Sequence, residues 1–114
     1  MSQYRMVRVQ HLIQEMLGTM IVSGVIKDPR VNSFLSITDV QVSRDIAYAK
    51  IYVSSFENEK KVKDAVEALN HAAGFIQSKL GKKLNMRNTP KLTFFQDDSV
   101  RLGVNMVNKL GKLN

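Results

Sequence analysis

The sequence predicts an α+β domain of two layers, in which an antiparallel hairpin and a third strand carry helices on one face. Three observations predict it. Apolar residues recur at helical spacing from Val9 to Ile21. Two stretches rich in β-branched and aromatic residues follow, split by a short polar turn. Helical spacing then returns from Val62 to Leu80, with Gly74 set inside it. The expected order is helix, strand, strand, helix, kink, helix, strand and a terminal helix.

In the first helix Val9, Leu12, Ile13, Met16, Leu17, Met20 and Ile21 line one face, and Gly24 stands where a helix often ends. The two methionines read as core fillers rather than a partner-binding groove. Phe34 to Val42 and Ile46 to Ser55 read as a hairpin around Ser43-Arg44-Asp45, with a bulge near Thr38-Asp39 where the apolar phase of the first strand shifts. Asn58 suits the cap of the next helix, with Glu57 and Glu59 near the positive end of its dipole. Gly74 costs about 1 kcal/mol against alanine inside a helix, so it marks a kink or a close approach of something to the backbone. Lys91 to Gln96 read as the third strand, and Asp97, Asp98 and Ser99 as the start of the last helix. One domain over 1–114 is expected, with a core from about 3 to 97 and the terminal helix over about 99 to 112.

The 17 Lys and Arg against 10 Asp and Glu leave a net charge of +7, which favours phosphate-rich partners. The distribution sharpens this. No acidic residue falls between Glu67 and Asp97, whereas Lys79, Lys82, Lys83, Arg87 and Lys91 all do. The absence of cysteine removes disulfide frameworks, thiolate nucleophiles and Cys-based zinc sites, and suits a reducing cytoplasm. The longest apolar run, Ile46 to Ala49, is far short of the roughly 20 residues that span a bilayer. The amino terminus lacks the apolar stretch of a secretory signal. A cytoplasmic protein with no membrane partner is therefore expected.

Catalytic constellations are not found. His11 and His71 stand far apart without an acidic partner at ligand spacing, so neither a metal site nor a base is expected. The serines have no G-x-S-x-G setting, and no phosphate-binding glycine loop suggests a nucleotide, so no cofactor is expected. Asp97 and Asp98 read as helix-start acids before they read as a metal-binding pair. Lys27 and Arg30 flank Asp28 and Pro29 in a loop that either balances its own charges or seats phosphates beside Arg5 or Arg8. Arg44 at the hairpin tip is similar. Lys60, Lys61 and Lys63 are interleaved with acids and read as a solvated face. His71 precedes the kink, where it could stack on a base or bond a phosphate.

A helix, hairpin, helix pair and third strand in this order resemble a type II KH-like domain, whose members ordinarily clamp RNA with a GXXG loop. Here no two glycines are three apart, and Ala72-Ala73-Gly74 stands in that place. Together with DPR at 28–30, ITDVQVSRD at 37–45, YAKIYVS at 48–54 and LNHAAGFI at 69–76, this departure makes nearly the whole chain resemble the bacterial ribosome-binding factor A family. The resemblance implies a KH-like assembly factor, not an enzyme, with an Ala-x-Gly kink at Ala72 and Gly74. It implies binding to the small (30S) ribosomal subunit and its 16S rRNA, a role in late maturation near the 16S rRNA 5′ end, and support of growth in the cold. A monomer is expected, with ribosomal proteins as further partners. The expected RNA-binding residues are Arg5, Arg8, Lys27, Arg30, Arg44, Asn70, His71, Ala72, Gly74, Lys79, Lys82, Lys83 and Arg87. A generic single-stranded RNA-binding KH-like protein is the competing reading, kept open by Tyr48 and Tyr52 on the outer strand face.

Overall fold

The computed structural model describes residues 2–86 and 88–97; Arg87 and the helix expected over about 99 to 112 lie outside them. Among the described residues three helices and three strands run in the order α1 (Ser2–Ser23), β1 (Leu35–Val42), β2 (Tyr48–Ser55), α2 (Glu59–His71), α3 (Ala73–Leu84) and β3 (Lys91–Gln96). The described residues thus form a mixed α+β fold.

The stripe of α1 is real but narrower than its spacing predicts. Val9, Ile13, Leu17, Met20 and Ile21 are buried, while Leu12 sits on the rim, 37% exposed. Burying each such side chain contributes about 1.5–3 kcal/mol, so this face anchors the helix on the sheet. Gly24 ends the helix with φ 74, a left-handed conformation that glycine takes without steric cost.

The sheet has the order β1-β2-β3. β1 and β2 are antiparallel, and the register steps from Ile37 opposite Val53 to Asp39 opposite Tyr52, which leaves Thr38 as the extra residue of a bulge. The Thr38 hydroxyl donates to the Tyr52 carbonyl at 3.2 Å and to the Asp97 carboxylate. β2 and β3 are parallel, from Tyr48 opposite Lys91 to Val53 opposite Gln96. A parallel neighbour needs a crossover, and α2 and α3 supply it.

Alternation along the strands puts Ala49, Ile51, Val53, Leu92 and Phe94 under the helices and leaves Tyr48, Lys50, Lys91, Thr93 and Phe95 on the open face. α1 packs on β1, and α2 and α3 pack on β3. Val62, Ala65, Ala68, Leu69, Ile76 and Leu80 complete the core.

Two expectations move by a few residues. The second strand begins at Tyr48 rather than Ile46, because Ile46 takes φ 58 and belongs to the turn. The break between the second and third helices falls at Ala72, with φ −90 and ψ 5, and Gly74 lies inside the first turn of α3. Asn58 caps α2 as expected, its side chain accepting from the Lys61 N–H at 2.9 Å.

Candidate nucleic-acid interface

Three segments remote in sequence enclose an open groove of about 1310 Å³: the first turns of α1, the hairpin tip and the loop after α3. Arg5 and Arg8 come from α1, Arg44 from the tip, and Asn85 and Thr89 from the loop. All three arginines are exposed, and among the described residues no carboxylate forms an ion pair with them.

Each wall is fixed by local chemistry. At the tip the Ser43 hydroxyl donates to the Asp45 carboxylate at 2.8 Å and accepts from the Ala47 and Tyr48 N–H groups at 3.1 and 3.0 Å. These bonds hold Ile46 in a left-handed conformation that costs a β-branched residue about 1–2 kcal/mol. The Ile46 side chain is thereby turned against the core. Hydrogen bonds from the Ser43 hydroxyl and then the Ala47 N–H keep the Asp45 carboxyl below its ordinary range, so Asp45 stays charged in service of the turn.

The opposite wall begins where Asn85 closes α3 with φ 54. The Gln77 side chain donates to the Thr89 carbonyl at 3.0 Å and pulls the loop back onto the helix. Gly81 permits this approach, because a β-carbon there would overlap the Thr89 hydroxyl. Lys82 and Lys83, both exposed, occupy the last turn of α3 immediately before this wall, where the helix dipole favours cations.

The remaining candidates lie elsewhere. α1 is 22 residues long, about 33 Å at 1.5 Å per residue, so Lys27 and Arg30 beyond its far end do not stand beside Arg5 or Arg8. Arg30 is also committed. Its Nε and Nη2 donate to the two Asp28 carboxylate oxygens at 3.1 and 2.9 Å, and its backbone N–H donates to Oδ1 at 2.9 Å. These hydrogen bonds hold the Asp28 carboxyl down at about 2, with a smaller contribution from the charge of His71. The charge-balancing reading of this loop is the one the geometry supports.

Asn70 is engaged as well: its side-chain amide is bonded to the main chain of Phe94 at both ends, so it does not offer that amide to a ligand. His71 and Gly74 are exposed and Ala72 is half-buried. A β-carbon on Gly74 would meet nothing within 4 Å, so packing inside the chain does not require glycine there. Lys79 lies partway along α3 with its ammonium 5.6 Å from the centre of the Phe75 ring, a cation–π contact. The candidates thus divide between the groove end, with Arg5, Arg8, Arg44, Lys82 and Lys83, and the α2–α3 junction.

Residue reasoning missed Tyr4, Asn85 and Thr89 in the groove. Asn85 had a signal, since asparagine often closes a helix in the left-handed conformation. Thr89 had none beyond the small residue at Gly81 that it packs against.

Among the described residues no group of three metal-ligating side chains comes together, and no helix is long and apolar enough to cross a membrane. Fold and groove define a small α+β domain with three exposed arginines around one open groove. Residues 5–110 match the family model described as ribosome-binding factor A. A ribosome-binding factor A from Treponema denticola is 52% identical over 113 residues, 99% of this chain and 86% of that protein. The solution structure of a Thermotoga maritima protein assigned as a ribosome-binding factor A superposes with a TM-score of 0.71 at 31% identity, covering 84% of this chain and 90% of that one. A Thermus thermophilus ribosome-binding factor A homology model, fitted into a cryo-EM map of its complex with 30S, shares the fold with a TM-score of 0.56 at 24% identity, covering 76% and 93% of the two chains. The chain belongs to the ribosome-binding factor A family.

Proposed function

We propose that this protein binds the small ribosomal subunit by seating 16S rRNA backbone in the arginine groove. The observation that carries this reading is the convergence of Arg5, Arg8 and Arg44, exposed and without ion pairs to described carboxylates, around one open groove. Guanidinium groups bind phosphate bidentately, so three of them on rigid supports fix the register of a folded RNA rather than read its sequence. Lys82 and Lys83 in the last turn of α3 extend the same charge.

The α2–α3 junction is the second contact in this reading. In a KH-like domain it occupies the place of the GXXG loop, with Ala72 and Gly74 as the Ala-x-Gly counterpart, and the open space over Gly74 leaves bare main chain for RNA to approach. His71, the last residue of α2, is exposed beside it.

The chain works as one unit and as a monomer in the cytoplasm, without catalysis or cofactor. It assists late maturation of the subunit, including processing near the 16S rRNA 5′ end, and supports this step in the cold.

Co-sedimentation with immature small subunits tests the proposal. Replacing Arg5, Arg8 and Arg44 together by glutamine should abolish co-sedimentation while the fold persists, and Gly74→Val should weaken it. Undiminished binding by the triple variant would sink the groove.

A further inference from the structure

We propose that the open face of the sheet is a second RNA site, where bases of an unpaired strand stack on Tyr48, Tyr52 and Phe95 while Lys50 and Lys91 hold its phosphates. This goes beyond the groove, which grips folded RNA by its backbone.

The placement follows from register. Tyr52 stands opposite Phe95 and Tyr48 opposite Lys91, with Lys50 between the two tyrosines on the same face. The Tyr52 and Phe95 rings are stacked, centroids 5.6 Å apart and planes 29° from parallel. Tyr48 is 63% and Phe95 39% exposed. Four residues of strand put Tyr48 about 13 Å from Tyr52, which leaves room for more than one base.

A cross-strand aromatic pair stabilises a sheet by about 0.2–1 kcal/mol, and this accounts for Tyr52 and Phe95 touching. It does not account for Tyr48, which stands apart from that pair with its ring in water. The charges select the occupant. A protein covering these rings would strip water from Lys50 at their centre, whereas an RNA strand brings a phosphate to it.

The face is polarised in the same sense. Its carboxylates lie on the Tyr52 side, away from Tyr48 and Lys91: Asp39 stands opposite Tyr52 and accepts from the Gln41 side chain at 3.1 Å, and Asp97, just past β3, accepts from Thr38. Its cationic end abuts the groove, since the Lys91 N–H donates to the carbonyl of Ala47, a groove residue, at 2.9 Å. A strand leaving the arginines therefore has a continuous path onto the rings.

The test uses the full-length protein and a single-stranded oligouridine of about eight nucleotides, within the usual site size of such surfaces. The chain has no tryptophan and three tyrosines, one of them Tyr4 in the groove, so in a Tyr4→Phe background the fluorescence reads Tyr48 and Tyr52, and amide NMR shifts locate the contact. Quenching is expected, with shifts at Tyr48, Tyr52 and Phe95. Tyr48→Thr and Phe95→Thr, both conservative for exposed strand positions, should each weaken binding about tenfold. Lys50→Ala leaves every ring in place and should weaken it several-fold. A variant with Arg5 and Arg8 changed to glutamine should keep the quenching while losing small subunits, which separates this site from the groove. Unchanged oligouridine affinity in the three face variants, shifts confined to the groove, or shifts on the face produced only by ribosomal proteins would each overturn the proposal.

Discussion

Asn70 clamps the main chain of Phe94: the Phe94 N–H donates to Oδ1 at 2.8 Å, and Nδ2 donates to the Phe94 carbonyl at 3.0 Å. The other edge of the sheet is treated alike. Gln10 accepts from the Val42 N–H at 3.0 Å and Gln14 donates to the Ile37 carbonyl at 3.0 Å. Helix-borne carboxamides thus occupy main-chain groups on both edge strands, which would otherwise invite pairing with other chains. Asn70→Ala is expected to destabilise the fold by about 1–3 kcal/mol, read as a lower denaturant midpoint, because Phe94 loses partners for both polar groups. Asn70→Asp, which keeps the acceptor and loses the donor, should fall between. An unchanged midpoint in Asn70→Ala would dismiss the clamp.

Gly81 and Thr89 give a rescue experiment. Gly81→Ala should destabilise the protein by about 1–3 kcal/mol, since the new methyl overlaps the Thr89 hydroxyl and pushes the groove wall outward. Adding Thr89→Ala removes the overlapping oxygen, and the double variant should recover most of the loss. Additive losses in the thermal midpoint would show that the overlap is not the cause.

The Asp28–Arg30 pair makes an acid-range prediction. Arg30 hydrogen bonds lower the Asp28 carboxyl from 3.8 to about 2, so the unfolded chain binds more protons between those values. The stabilisation is complete above 3.8 and fades as pH falls toward 2. Asp28→Asn lacks it at every pH. The difference in denaturant midpoint between wild type and variant should therefore shrink from about pH 5 to about pH 2, where a constant difference would rule out the linkage. Asp45 and Glu57, lowered chiefly by hydrogen bonds from Ser43 and Asn32 respectively, add acid-side losses common to both proteins.

Binding to precursor rRNA should be strongly salt-dependent. With about five phosphate contacts, affinity falls roughly a hundredfold between about 50 and about 200 mM salt. Lys82→Gln should flatten the dependence by about one contact. A salt-insensitive complex would remove the electrostatic mechanism.

The elements with strong periodicity were legible in the residues. β3 spans Lys91–Gln96, the bounds read from the sequence, and the bulge falls at Thr38 where the phase of β1 shifts. What escaped has physical reasons. Ile46 is the kind of residue that argues for strand, and only the bonds radiating from Ser43 force it into the turn. Helical spacing continues across Ala72, so periodicity alone does not mark the break, which falls at the first residue of the Ala72-Ala73-Gly74 run rather than at the glycine. In the candidate site, the arginines were readable as charges, but their convergence depends on the third dimension. Arg30 showed the converse: adjacency to Asp28 in the sequence was already its explanation.

The groove is assembled from residues 4–8, 44–47, 85–86 and 88–89, so its walls come from distant parts of the chain. A nascent chain still missing β3 leaves β2 as a sheet edge and lacks the Lys91 N–H that bonds the Ala47 carbonyl beside the groove. Ligand affinity and global folding are consequently one equilibrium here. Occupancy by RNA should raise the melting temperature of the entire domain as concentration climbs above the dissociation constant, whereas a chain truncated before the last strand gains no such protection.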